Sequence, residues 1–243
     1  MNIYGKSDIG LKRTSNQDCF DYGKINDGMT WAVVCDGMGG ANGGDIASSL
    51  ATQCIKNFMT QNYTEGIDSN EIKELLKNAI YKANCEILNK ANKNKDLLGM
   101  GTTVVLVAIY KNKIHISHVG DSRAYLLSKD NIKQLTVDHS MVQQMIDDGE
   151  ITHEQAKSHP NKNIITRALG INKNVEIDYF ETIKNKEKSI LICTDGLTNC
   201  ISEKEILNCY LNNPTENVVD QLITLANKNG GSDNITVIIL SEK

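Results

Sequence analysis

Arginine is scarce in this chain. Its 243 residues hold only Arg13, Arg123 and Arg167, against 23 lysines. Basic residues are not in excess either: 26 stand against 30 acidic ones, for a net charge of −4. That balance excludes the electrostatic footprint of a nucleic-acid or anionic-membrane binder. No apolar run approaches the roughly 20 residues of a membrane-spanning helix, and the opening MNIYGKSDIGLKR has no apolar core of a secretory signal. A cytosolic location is expected. Of the seven cysteines, Cys19, Cys35, Cys54, Cys85, Cys193, Cys200 and Cys209, none forms a C-x-x-C pair. The count is odd and several lie in apolar runs, so free, largely buried thiols are expected, not a disulfide frame or a zinc site. There is no internal repeat and no low-complexity linker.

What is present begins at Trp31 to Gly40, WAVVCDGMGG. The apolar, β-branched run reads as a buried strand. It ends in Asp36, and the glycines that follow would let a cation approach both that carboxylate and the carbonyl of Gly37. One Asp-Gly after a strand is usually only a turn. Here the pattern recurs. Asp121 follows IHISHVG, Asp195 follows SILICT and precedes Gly196, and Asp233 sits in GGSDN before ITVIIL. Each is expected at the end of a core strand, and strands of one packed pair of sheets end on a common rim. Four converging carboxylates would raise one another's pKa unless cations joined them. Hard divalent ions suit an all-oxygen donor set. A pair of them can turn one shared water into a hydroxide near neutral pH, which is apparatus for attacking phosphorus without a cysteine or serine nucleophile. Arg13, in the polar loop before Asp18, offers a fork for two phosphate oxygens.

The order of elements supports this picture. Strands are expected over 2–8, 18–23 and 30–36. A helix starts at Asn42-Gly43-Gly44-Asp45, with apolar positions at Ile46, Leu50, Cys54 and Phe58 beside Ala47, Ala51, Ile55 and Met59. A second helix is capped at Asp68-Ser69-Asn70-Glu71. The β-rich region 101–135 includes Val104 to Tyr110, apolar throughout, as in a strand buried on both faces. His115 and His118 lie three apart in a strand and point to opposite faces, so they do not share a metal. The polar, short-elemented stretch at about 141–165 reads as a flap over the sheet edge, within one domain spanning 1–243. Strands return at 175–183 and 188–194, then two helices, then a final strand from Ile235. This order suggests an α+β fold: two packed, mainly antiparallel sheets with helix pairs on the outer faces.

Eight stretches then stand together in order: SDIGLKRTSNQD, VCDGMGG, MGTT, HVGDSRAY, LTVDHS, ITRALG, CTDGLTN and GGSDNIT. In this the chain resembles the metal-dependent protein phosphatases of the PPM, or type 2C Ser/Thr, family in their short bacterial form. The resemblance implies an α-β-β-α sandwich with a Mn2+ or Mg2+ pair at one end. It implies that Asp36 bridges both ions, that Gly37 gives its carbonyl to one, and that Asp195 and Asp233 complete the other's shell. Asp18 would reach the site through water, Asp121 with Asp195 would hold a third, weaker ion, and Arg13 would bind the substrate phosphate. The activity implied is hydrolysis of phosphoserine and phosphothreonine by direct attack of a metal-bridging hydroxide. The partners implied are phosphoproteins, among them a Ser/Thr kinase and its targets, and the enzyme is expected to be a monomer. Two rival readings are a catalytically silent member of the same fold and a two-metal phosphodiesterase. Met38 stands where many family members carry His and cannot donate a proton. That leaves the general acid open between His159 in the flap, which also reads as a helix-flanking surface residue, and a water on the third ion.

Overall fold

The structure is a computed structural model that describes residues 1–25, 28–39, 43–184 and 188–242. Gly40 and Asn42, quoted above, lie outside the described residues. Two antiparallel sheets face each other. One has the order β1-β11-β10-β7-β8, from Asn2–Asp8, Ile235–Ser241, Ser189–Cys193, Arg123–Leu127 and Ile132–Gln134. The other runs β2-β3-β5-β6-β9, from Asp18–Ile25, Met29–Met38, Val104–Tyr110, Lys113–Val119 and Asp178–Ile183, with the short β4, Gly101–Thr102, against β3.

Side-chain alternation along the strands builds three core layers. Ala32, Val34, Val105 and Val107 face Ile190, Ile192, Ile238 and Leu240 between the sheets. On the opposite face of β3, Trp31, Val33 and Cys35 pack under α1, Gly44–Asn62, and α2, Ser69–Lys93. Of the two apolar rows expected on α1, Ala47, Ala51, Ile55 and Met59 are fully buried, while Ile46, Leu50, Cys54 and Phe58 are only partly so. Asp68 caps α2, with Glu71 reaching back to the cap. The β1-β11-β10-β7-β8 sheet is covered by α6, Glu203–Asn212, and α7, Thr215–Lys228, through Ile206, Tyr210, Val218 and Leu222. Val104 to Tyr110 is buried throughout, as a strand between two layers must be. The α-β-β-α layering expected from the sequence is thus the observed one.

Local differences have physical reasons. The strand bearing Asp36 does not stop there: Thr102 and Gly101 pair with Gly37 and Met38 and extend it by two residues. Asp195 does not end a strand. It opens a four-residue helix, α5, Asp195–Thr198, too short to show periodicity. The strand expected over 175–183 is ordered as β9 only from Asp178, while Val175 and Ile177 pack on the core under α2. Residues 141–165 contain α3, Met141–Asp147, and α4, His153–Lys157. Their base is closed by a bridge between Ser140 and Ile165 and by Met141 N–H donating to the Ile164 carbonyl at 2.8 Å. All seven cysteines are free thiols, and burial pushes the Cys193 thiol up to about 12.

Candidate active site

Asp36 and Asp18 lie directly opposite each other on β3 and β2. Gly37 N–H donates to the Gln17 carbonyl, 3.1 Å, so the neighbouring 18–36 pair is of the non-hydrogen-bonded kind, in which side chains approach closely. Asp36 is held by its main chain. Its N–H donates to Thr103 Oγ1 at 3.0 Å, and its carbonyl accepts from Thr103 N–H at 2.8 Å and from Thr102 Oγ1 at 2.9 Å. The carboxylate remains free to face the rim. A Cβ on Gly37 would come within 2.1 Å of the Gly44 carbonyl oxygen, so this close crossing of strand and helix start admits only glycine.

Three further carboxylates face Asp36. Asp195 lies within hydrogen-bonding reach of it and also accepts from Asn199 Nδ2 at 2.9 Å. Asp121 follows Gly120 in the turn after β6, beside Ser122, whose hydroxyl meets Thr103 Oγ1 at 2.8 Å. Asp233 is paired with Arg13, Nη2 to Oδ2 at 2.6 Å. A cleft of about 550 Å³ is lined by Arg13, Asp36, Gly37, Asp121, Asp195 and Asp233 together. Asp18 lies behind this lining. Its Oδ2 accepts from Thr194 Oγ1 and Thr236 Oγ1 at 2.9 and 2.6 Å, while its buried Oδ1 has no hydrogen-bond partner.

The electrostatics follow from this crowding. Burial raises the Asp18 pKa to about 7, against the two threonine hydroxyls, and Asp195 and Asp233 add to the rise. Burial followed by Asp195 raises Asp121 to about 8. Asp36 is held well above the usual carboxylate range by burial and then by the charges of Asp18, Asp195, Asp121 and Asp233. Asp195 is raised by burial and then by Asp233. Among the described residues Arg13 is the one cation in the lining; its pKa is raised by the hydrogen bond to Asp233, with smaller contributions from Asp195 and Asp36. One guanidinium does not offset five clustered carboxyls. An all-oxygen donor set, excess negative charge and an orphaned buried carboxylate oxygen fit hard divalent cations.

Asn234 organises the loop that carries Arg13. Its Nδ2 donates to the carbonyls of Ile9 and Ser15, 2.9 and 3.0 Å, and its Oδ1 accepts from Gln17 N–H at 2.8 Å. Thr194 and Thr236, which grip Asp18, were not singled out in the sequence. Their signal was position: Thr194 follows β10 and precedes Asp195, and Thr236 is the second residue of β11, two after Asn234. Arg123 grips Asp138 in fork fashion through Nε and Nη2 at 2.9 and 2.6 Å. Arg167 pairs with Asp178 and Glu176 at 2.8 and 3.1 Å. Ser140 caps α3 by accepting from Gln143 N–H. His159 lies just beyond α4, its Nδ1 accepting from Asn161 N–H at 3.2 Å, and it is not among the residues lining the cleft.

A second cluster looks metal-like by composition alone. His118, His139 and Asp178 offer donor atoms within 4.8 Å of one another. The two imidazoles are stacked, with centroids 4.7 Å apart and planes 15° from parallel. An ion lies in the plane of each ring that ligates it, and two stacked planes share no such point. Arg167 Nη1 already sits 2.8 Å from Asp178 and 3.1 Å from His139 Nε2. His115 faces away from this cluster, toward Tyr179.

The model of the family described as protein phosphatase 2C matches residues 5–237. The chain belongs to that family. It is 39% identical over 241 residues to the serine/threonine phosphatase stp of Listeria innocua, covering 99% of this chain and 95% of that one. The crystal structure of the serine/threonine phosphatase Stp1 from Staphylococcus aureus superposes with a TM-score of 0.94 at 33% identity, over 99% of this chain and 94% of that one. The catalytic domain of the serine/threonine protein phosphatase PstP, solved in complex with two manganese ions, superposes at 0.85 with 30% identity, over 98% and 96% of the two chains. No helix among the described residues is long and apolar enough to cross a membrane.

Proposed function

We propose that this chain is a metal-dependent phosphoprotein phosphatase that hydrolyses phosphoserine and phosphothreonine. The single observation that carries the reading is the convergence of Asp36, Asp121, Asp195 and Asp233 with Arg13 around one cleft. Asp36, the Gly37 carbonyl, Asp195 and Asp233 would hold two Mn2+ or Mg2+ ions, and Asp121 with Asp195 a third, weaker one. Bound divalent cations supply Lewis acidity and a strong oxygen nucleophile at neutral pH. The protein's own groups do the rest.

Arg13 is half exposed and therefore able to leave Asp233 and grip two oxygens of the incoming phosphate, orienting it and stabilising charge as it develops. Asp18, with Oδ2 fixed by two threonines, would offer its unpartnered Oδ1 as an acceptor to a water at the cation site. Met38 lines the cleft but offers no proton. A neighbouring hollow of about 790 Å³ shares Asp121 and Asp195 with the cleft and opens between the 141–165 segment and α6. We read that segment as a flap, in one domain spanning the chain, and the hollow as room for the substrate chain on one side of the phosphoresidue. The setting we infer is a cytoplasmic monomer of bacterial signalling, acting opposite a Ser/Thr kinase.

The test is hydrolysis of p-nitrophenyl phosphate and of a phosphothreonine peptide with and without Mn2+. Activity on both is expected with Mn2+ and none in excess chelator. Inactivity with Mn2+ present would favour a silent family member, and preference for bis-p-nitrophenyl phosphate would favour a diesterase.

A further inference from the structure

We propose that His139 is a positioning residue that sets the Asp121 carboxylate and the base of the 141–165 segment in one common arrangement. The proposal rests on the reading of Asp121 as a cation ligand. His139 is buried and holds Gly120, the residue before Asp121, at two points. Its N–H donates to the Gly120 carbonyl at 3.0 Å, and its Nδ1 accepts from Gly120 N–H at 3.0 Å. Its carbonyl accepts from Thr166 N–H at 2.8 Å, on the return from the segment whose base is closed by Ser140 and Ile165.

The ring itself is fixed on every side. Nδ1 accepts from Gly120, and the other ring nitrogen, Nε2, lies between Arg167 Nη1 at 3.1 Å and Asp178 Oδ2 at 3.4 Å. Asp178 is anchored by Arg167 and lies opposite His118 in the β6–β9 ladder. His118 covers one ring face, held by its own Nε2 donating to the Val137 carbonyl at 2.9 Å. Gly120 has no freedom to compensate. Its φ is +112°, and a Cβ there would come within 2.6 Å of Thr103, the residue that also holds the Asp36 main chain.

The main-chain bonds of residue 139 would survive most substitutions. What the imidazole adds is the acceptor for a buried Gly120 N–H, and an unmet buried donor relaxes the turn that carries Asp121. Two variants separate this role from general packing. In His139→Asn the side-chain oxygen falls two bonds from Cβ, where Nδ1 stood, and can keep the Gly120 bond. In His139→Gln the amide falls one bond farther out, near Asp178, and leaves Gly120 unmet.

The experiment is calorimetric titration of metal-free protein with Mn2+, with melting of the metal-free protein alongside. Affinity at the weakest site is expected to stay within about two-fold of wild type in His139→Asn and to fall roughly ten-fold in His139→Gln. Without metal His139→Gln should melt below His139→Asn because its Gly120 donor is unmet, so Mn2+ affinity is compared at a temperature where both variants are folded. Asp121→Asn should lose the weakest site. Equal Mn2+ affinity in all three His139 forms, or equal loss in both variants, overturns the positioning role while leaving the phosphatase reading intact. Wild-type Mn2+ binding by Asp121→Asn overturns the ligand reading of Asp121 and this proposal with it. If His139→Gln does not purify folded, His139→Ala removes the same acceptor and takes its place.

Discussion

Two sets of aspartates lie close together and are treated oppositely by the fold. Asp138 and Asp178 are neutralised from within: one sits in the fork of Arg123, the other against Arg167 and His139. Asp18, Asp36, Asp121 and Asp195 are buried and crowded together, offset among the described residues only by Arg13, shared through Asp233, and by the weaker field of Arg123, and their pKa values rise through burial and mutual repulsion. The folded chain tolerates that cost at the rim and nowhere else among these pairs. A carboxylate left uncompensated inside a stable fold is one kept for a cation from outside. Composition alone does not separate the sets, since His118, His139 and Asp178 look as much like a metal site as the rim does.

The largest effect that would break this comparison is on activity. Asp36→Asn or Asp195→Asn is expected to lower kcat by roughly 10²–10³ or more, a loss typical of removing one stabiliser of developing charge. Neither should lower the melting temperature of the metal-free protein, because each removes a repelled charge. Asp138→Asn should do the reverse. It strands the largely covered Arg123 guanidinium, destabilises the fold by about 3 kcal/mol, and leaves the Mn2+ affinity of the purified protein near that of wild type. Thermal melts with and without Mn2+, read beside phosphopeptide hydrolysis, check both halves. Substantial turnover by Asp36→Asn would sink the site assignment.

Much of the rim was legible beforehand because its chemistry is written locally. Asp36, Asp121, Asp195 and Asp233 each adjoin an apolar run and a glycine, and the fold gathers the strands that carry them. What was not legible depends on distant partners. Asp18 owes its setting to Thr194 and Thr236, 176 and 218 residues away. The extension of β3 past Asp36 exists only because β4 comes to pair with it. α5 is a single turn, too brief for a periodic signal. The task of Arg123 was not legible because its partner, Asp138, stands in a separate segment that only the fold brings alongside.

The next effect is on stability against pH, and its sign distinguishes the rim from an ordinary acidic surface. Asp18 and Asp121 have folded-state pKa values of about 7 and about 8, above those of unfolded carboxyls. The native state therefore binds more protons than the unfolded chain, and its stability from these groups is complete at low pH. It is lost as pH rises toward 7 and 8. Metal-free protein should show a falling melting temperature between about pH 5 and pH 8, whereas saturating Mn2+ should flatten or reverse the slope because only the folded state assembles the ligands. A metal-free melting temperature that rises across that interval would contradict the raised pKa values.

The smallest effect sharpens the comparison at its edge. His159 is an ionisable group of the 141–165 segment that the sequence offered as a general acid, yet it caps a turn through Asn161 and lies outside the cleft lining. General acid catalysis typically contributes 10²–10⁴-fold, and most for poor leaving groups. His159→Ala is therefore expected to hydrolyse p-nitrophenyl phosphate and a phosphothreonine peptide within about two-fold of wild type, because loss of the turn bond costs only local stability. A selective loss on the peptide, whose leaving alkoxide needs a proton, with p-nitrophenyl phosphate spared, would place His159 at the reacting oxygen after all. It would also mean that the segment moves inward when substrate binds.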